Sequence, residues 1–448
     1  MSTSTSNPSK NAYATLLTRP SYLAGVILLA YTLHNYSPST PLIVLYTPED
    51  SLPKPCLDAL EIEARFSNII LRKVEHVRIP KGGRDRDGRD GREDGIVAER
   101  FTDTWTKLRV FEVCGLGFEK VCFLDADMLV LRDPSPIVFE DSYWEEAHVD
   151  RKMGILATHV CVCNLDSDSW APKAWNKENC AYTNAKTDEV PEVEAESETK
   201  GIFNSGMFVF HPSPQLADLV SETFEYMLVE RLRGYQFPDQ DFLNEVFRGR
   251  WGGLPWCVNA LKTWRYWHRD MWRDGGCRVL HYIVDKPWAG RVVRDREGRE
   301  SAGYKGLDSV THGWWWGQWE SWRAERMGDG EGEGKREVEI GERWVAKERG
   351  EGEEGNEELR AVGGGAQDFA RKWGDGKPEG ENAVANDDTV AGGPVLRKKM
   401  LGERGHGPVF RNMPMLGCPA WRSEWRGRHD RGMYKNRSKT PTSSTSYS

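Results

Sequence analysis

The chain has 448 residues, 38% of them hydrophobic, and 45 glycines. Glycine thus exceeds its usual share of about 7%, as when a normal core is diluted by a polar, Gly-rich region. Sixty-one Lys and Arg against 69 Asp and Glu leave a net charge of −8, well mixed along the chain. No basic footprint marks a nucleic-acid surface, and the mixing argues against a membrane-surface role.

The first ten residues, MSTSTSNPSK, are polar and lack an apolar signal core, so residues 1–10 read as a flexible N-terminus. Tyr22–Leu33 is too short to span a bilayer. The nine cysteines show no framework spacing, and Cys161-Val162-Cys163 has one intervening residue where structural zinc pairs have two to four. Reduced thiols and a cytoplasmic location are expected.

Ala12–Thr18 reads as a strand. Ser21–Asn35 carries Leu23, Val26, Ile27, Ala30 and Leu33 at helical spacing. Pro41–Tyr46 and Ile69–Val74 are further strands on either side of a helix over Lys54–Phe66. This alternation predicts a mostly parallel α/β sheet flanked by crossover helices. Lys81–Gly95 alternates charge and glycine and reads as an exposed loop. Phe101–Leu116 is expected to be helical and to lead into a strand at Val121–Leu124. Residues 143–200 look like an insertion with one strand-like piece, Gly154–Val162, ending in an acidic linker from Asp188 to Lys200. Ile202–His211 and Val279–Tyr282 read as strands, and Gln215–Arg231 and Gln240–Phe247 as helices. Asp308–Trp322 is dense in tryptophan, which favours core cover over sugar stacking. From about residue 326 the sequence becomes Gly/Glu-rich, so a folded domain over 11–325 and a long disordered tail over 326–448 are expected.

The centre of the chemistry is FLDADMLVL. Asp125 and Asp127 follow an apolar run of strand length, and carboxylates there are costly to bury unless paired, solvated or metal-bound. Residues two apart on a strand share a side, so both acids can reach one cation. The C-terminal edge of an open α/β sheet is where ligands bind. An Asp-x-Asp alone is a weak signal. It gains weight from Asn204-Ser205-Gly206 within an apolar strand, from Asp239-Gln240-Asp241 at a helix start, and from His281 ahead of Lys286-Pro287-Trp288.

Together, and in this order, AYATLLT, TWTKL, FLDADMLVL, FNSGMFVF, DQDFLN and HYIVDKPW resemble glycosyltransferase family 8, the group of glycogenin and the galactinol synthases. The resemblance covers roughly Ala12–Trp288 and implies a Rossmann-like GT-A fold that transfers a hexosyl group, glucose or galactose, from a UDP-sugar with retention of configuration. It implies Asp125, Asp127 and His281 as metal ligands. Such a site, completed by diphosphate oxygens, suits Mn²⁺, with Mg²⁺ as the alternative. It places Lys286 at the diphosphate, Lys107 and Ala126 near the donor, Asn204 and Ser205 on the sugar, and Asp239 and Gln240 beside the anomeric carbon. Asp239, Gln240 and Lys286 are the catalytic candidates. Leu16, Thr18 and Tyr22 match the turn that meets uracil and ribose. The chain departs from the pattern at Tyr282-Ile283-Val284-Asp285, shorter than usual and without the glycine expected between histidine and lysine, and at Arg19-Pro20.

The acceptor stays open between a polyol, a glycan and a protein, and the chain could act as a homodimer. Tyr266 lies near the place of the self-glucosylated tyrosine of glycogenin, although packing is the better reading of it. A dehalogenase-type phosphatase is disfavoured by Leu129 two residues after the second Asp and by the motif's place well inside the domain. A non-catalytic scaffold of the same fold is disfavoured by the intact charged cluster.

Overall fold

The computed structural model describes residues 10–347 apart from 49–50, 80–102, 170, 187–188, 192–196, 198 and 331, together with Leu359 and Val362. The loop expected at Lys81–Gly95, much of the acidic linker and nearly all of the tail beyond residue 347 lie outside the described residues.

Seven strands form the central sheet: β1 (Asn11–Leu17), β2 (Leu42–Tyr46), β3 (Ile69–Lys73), β4 (Lys120–Leu124), β6 (Ile155–His159), β7 (Phe203–Phe210) and β8 (Trp251–Gly253), in the order 3-2-1-4-7-6-8. Strands β1–β4 are mutually parallel, β7 runs antiparallel between β4 and β6, and β8 returns parallel to β6. The sheet is therefore mostly parallel, as the alternation of elements predicts. Its order reverses at β1, beside β4, and that crevice is where a doubly wound sheet offers a ligand site.

Two boundaries differ from the sequence reading, and one strand is additional to it. The Asp-Ala-Asp break turns the chain, and β5 (Met128–Val130) joins a second, three-stranded sheet with β9 (Ala260–Leu261) and β10 (Val279–His281). Gly154–Val162 is not part of an insertion, because β6 is an integral strand between β7 and β8. The helix predicted over Gln215–Arg231 stops at Tyr226 where Met227 turns extended, and a short helix, Val229–Gly234, follows.

The sheet is covered on both faces. One core gathers Trp105, Leu108, Phe111, Phe208, Phe242 and Phe247. Part of it comes from Thr106–Leu116, which is helical as expected and wound as a 3₁₀ helix. The other core contains α1 (Leu23–Tyr36), of which every residue from Leu23 to Leu33 is buried. A helix buried all round needs cover on its outer side. That cover comes from α2 (Lys54–Phe66) and from the tryptophan-rich segment, which forms a helix over Ser309–Met327. Trp315, Trp319 and Trp322 are buried and pack ring against ring in series, so core cover is indeed their role.

The fold runs on past the boundary expected at residue 325. Glu333–Gly341 forms a further helix that buries Glu337, Val338 and Ile340 against α2 and the tryptophan helix. Arg326, also buried, donates to Glu63 of α2 from Nε at 3.1 Å and Nη2 at 2.8 Å, which ties these C-terminal helices to the sheet's own layer.

Candidate functional site

Three elements meet at the C-terminal end of β4. The Asp125 amide donates to the Gly206 carbonyl of β7 at 2.9 Å, and the Tyr282 amide after β10 donates to the Asp127 carbonyl at 2.9 Å. Because β7 is antiparallel to β4, its early residues Asn204 and Ser205 fall at this same edge. His281 is in register with Met128. Backbone pairing alone thus gathers residues about 150 positions apart in sequence.

The side chains complete the gathering. Asp125, Asp127 and His281 offer ligand atoms that all lie within 4.8 Å of one another. His281 Nε2 sits 3.4 Å from Asp127 Oδ1. Its other nitrogen, Nδ1, donates to Asn259 Oδ1 at 2.9 Å. That role is forced, since the Asn259 amide nitrogen already donates to Thr158 Oγ1 at 2.8 Å and to Asn204 Oδ1 at 2.9 Å. In the neutral ring the Nε2 lone pair therefore faces a carboxylate oxygen, and two acceptors face each other favourably when a cation joins them. Two carboxylates and one oriented imidazole make a donor set that fits a divalent cation.

Two lysines flank the acids. Lys286 donates to Asp127 and, at 2.8 Å, to the Tyr282 carbonyl. Lys107, from the 3₁₀ helix, pairs with Asp125 at 2.9 Å and Asp239 at 2.6 Å and also reaches the Ser205 carbonyl. Burial pushes the Asp125 carboxyl up, to about 6, against the pull of Lys107. Burial acts on Asp127 in the same sense, but the Lys286 ammonium beside it holds that carboxyl well below the usual range. The two acids of one motif are thereby made unequal, as at sites that perform chemistry.

The sugar-side candidates form one hydrogen-bonded group. Ser205 Oγ donates to Asp239 Oδ2 at 2.9 Å. Gln240 Oε1 accepts from Asn204 Nδ2 at 3.1 Å and from the Ser205 amide at 3.4 Å. Asp239 and Gln240 lie in the first turn of the helix Pro238–Val246. A Cβ at Gly206 would collide with the His281 ring, so glycine there is a condition of this packing. Gly25 plays the same part across the site, where a Cβ would strike the Ala126 carbonyl. Tyr22 stands edge-on to Trp288, whose indole donates to the Ser21 carbonyl. Leu16 and Thr18 lie at the end of β1 and have no hydrogen bond to the acidic group among the described residues.

Five residues here had no role assigned from the sequence. Asn259 orients His281. Lys262, buried, donates to Asp285 at 2.7 Å and to Asp308 at 2.8 Å, and His312 Nε2 lies 3.2 Å from Asp285. This group anchors Asp285 directly before Lys286. Asp285, Asp308 and His312 could themselves be taken for a metal group, but the Lys262 ammonium already supplies the cation between the two carboxylates. The loop that lacks a glycine keeps a glycine-like shape all the same, with Val284 at φ 70°. Tyr266 is half-buried beside Trp267, in line with packing.

Comparison with known proteins gives the following likenesses. Residues 99–291 match the family model described as Glycosyl transferase family 8. Galactinol synthase 4 of Arabidopsis thaliana is 25% identical over 291 residues, 63% of this chain and 74% of the relative. UDP-glucuronate:xylan alpha-glucuronosyltransferase 1 of the same plant is 22% identical over 326 residues, 69% of this chain and 37% of the relative. The galactosyltransferase LgtC, solved with donor and acceptor sugar analogues, is 17% identical at a TM-score of 0.39, covering 68% of this chain and 95% of its own. No described helix is long and apolar enough to cross a membrane.

Proposed function

We propose that this chain, which carries a family 8 glycosyltransferase domain over residues 99–291, transfers a hexosyl group from a UDP-sugar to an acceptor with retention of configuration. The observation that carries the reading is the convergence of Asp125, Asp127 and His281 on one point at the sheet edge, with Lys286 beside them. The three would hold Mn²⁺, with Mg²⁺ as the alternative. The ion would supply Lewis-acid charge to a departing diphosphate.

The chain's own groups do the rest. Lys286 adds a buried positive charge where the diphosphate would gain negative charge, and preorganised charge of this kind is often the largest catalytic contribution. Lys107 fixes Asp239 and Asp125 together. Asp239, held by Lys107 and Ser205, faces the sugar side as a carboxylate able to stabilise positive charge at the anomeric carbon or to position the acceptor. Gln240 spends its carbonyl on Asn204 and Ser205, which leaves its NH₂ to donate outward. Tyr22, Leu16 and Thr18 would border the nucleoside. A polyol, a glycan or a protein is the acceptor class to be tested.

The test is UDP release by purified protein with Mn²⁺ and each UDP-sugar across acceptor panels. Release that disappears in Asp127→Ala supports the transferase. Tight UDP binding without release in any mixture would make the chain a nucleotide-sugar-binding protein instead. Intact mass after incubation with UDP-glucose reads self-glycosylation directly.

A further inference from the structure

Four side chains outside the donor site meet at a second point. Cys161 and Cys163 follow β6, Cys180 comes from the irregular connection between β6 and β7, and His268 ends the short helix Trp264–Trp267. All four are buried, none more than 7% exposed. From His268 Nε2 the Sγ atoms of Cys161, Cys163 and Cys180 lie at 3.3, 3.4 and 3.9 Å, and Cys180 Sγ lies 3.9 Å from Cys161 Sγ. A tetrahedral zinc with ordinary bond lengths would set its sulfurs about 3.8 Å apart and sulfur from nitrogen about 3.5 Å apart.

Hydrogen bonding does not account for this arrangement. A neutral imidazole has one lone pair, and three sulfurs crowd the same nitrogen. A disulfide does not account for it either, because all three cysteines are free. The Cys-x-Cys spacing argues against a zinc knuckle in the sequence, but the fold recruits ligands from three segments and needs no knuckle.

We propose that Cys161, Cys163, Cys180 and His268 bind one structural zinc ion. Four protein ligands close the coordination sphere, which leaves no open position for catalysis. Three thiolates select a softer ion than the oxygen-rich group at Asp125 would take. The ion would staple a stretch without regular secondary structure. Between Val160 and Ile202 no described residue belongs to a helix or strand. Within it, Tyr182 is buried, packs on Trp264 at 4.4 Å and donates to the His159 carbonyl at 3.2 Å. Zinc would fasten this stretch to the wall at 256–268, which also carries Asn259 and so the orientation of His281.

The experiment is metal analysis of the full chain, expressed in zinc-containing medium and purified without chelator or affinity tag. The expected content is about one zinc per chain, with X-ray absorption at the zinc edge showing three sulfurs and one nitrogen. Cys163→Ser should lose the zinc, and Asp127→Ala should keep it. A zinc-free folded wild type, a shell of nitrogen and oxygen alone, or zinc that departs with Asp127→Ala overturns the proposal. The absorption measurement on wild type decides even where Cys163→Ser fails to fold.

Discussion

The chain gathers metal-ligating side chains in two places by opposite means. At the end of β4 the ligands are carboxylates and one histidine, interleaved with Lys107 and Lys286, and Asp125 is about a quarter exposed. Between β6 and the 264–267 helix they are three thiols and one histidine, all buried. The first group has protein cations within reach and an open side, so an ion there can share its shell with a substrate. The second is filled by its own ligands. Three protein ligands with an open side suit an exchangeable centre, and four buried ones suit a structural centre.

The largest expected effect tests the first half of that contrast. Asp127→Ala removes a ligand and strands Lys286, and UDP release should fall by about 10²–10³-fold or more, with zinc content close to wild type. Loss of zinc along with activity would merge the two centres into one and break the comparison.

A third buried cluster serves as a control, because it has acids and no metal-like geometry. Glu337 is fully buried, 3.6 Å from Arg326 Nε, and Arg326 is already committed to Glu63. Burial, with Glu63 close by, pushes the Glu337 carboxyl up to about 11. The folded chain therefore keeps a proton that the unfolded chain releases above its ordinary value of about 4.5. Stability from this group is complete below that value and is lost as pH rises toward the folded one, with a slope of at most about 1.4 kcal/mol per pH unit. Glu337→Gln should flatten that slope between pH 6 and 8 in urea melts. An unchanged slope would mean that Glu337 is ionised in the fold.

Asn259→Ala probes the residue shared by both neighbourhoods. It leaves the ligands of the Asp125 group in place and removes what fixes the His281 ring, so Mn²⁺ affinity should weaken by about 10–100-fold. Activity at saturating Mn²⁺ should largely recover. Failure of added metal to restore activity would assign Asn259 a role beyond orientation.

The parts of this molecule legible in the sequence are those where one short run carries the whole signal. The strand–helix alternation from Asn11 to Lys73 and the Asp-Ala-Asp break are local, and period and hydropathy expose them. His281 was legible because Lys286 and Trp288 follow it in a recognisable segment. Asn259 was not, because its role exists only when Thr158, Asn204 and His281 surround it. The cysteine group escaped for the same reason, since its ligands come from three segments whose spacing means nothing before folding. The Glu333–Gly341 helix was hidden by composition. Its glycines and its short length weaken its intrinsic helicity, and burial of Val338 and Ile340 against α2 supplies what propensity does not.

The smallest expected effect lies in the loop that carries Lys286. Val284 holds φ 70° with 43% of its surface exposed, so no packing of its side chain explains the choice of valine. A β-branched residue in the left-handed region costs about 1–2 kcal/mol. Glycine relieves that strain but adds unfolded-state freedom worth about 0.5–1 kcal/mol. Val284→Gly should therefore raise stability by about 1 kcal/mol at most, and turnover should stay within a few-fold of wild type because Asp285 still anchors the loop through Lys262 and His312. A drop beyond about tenfold would mean that the strained valine, and not the Asp285 anchor, holds Lys286 in place. Lys286 would then depend on local backbone stiffness where His281 depends on Asn259, and the Asp125 centre would be less prebuilt than its buried counterpart.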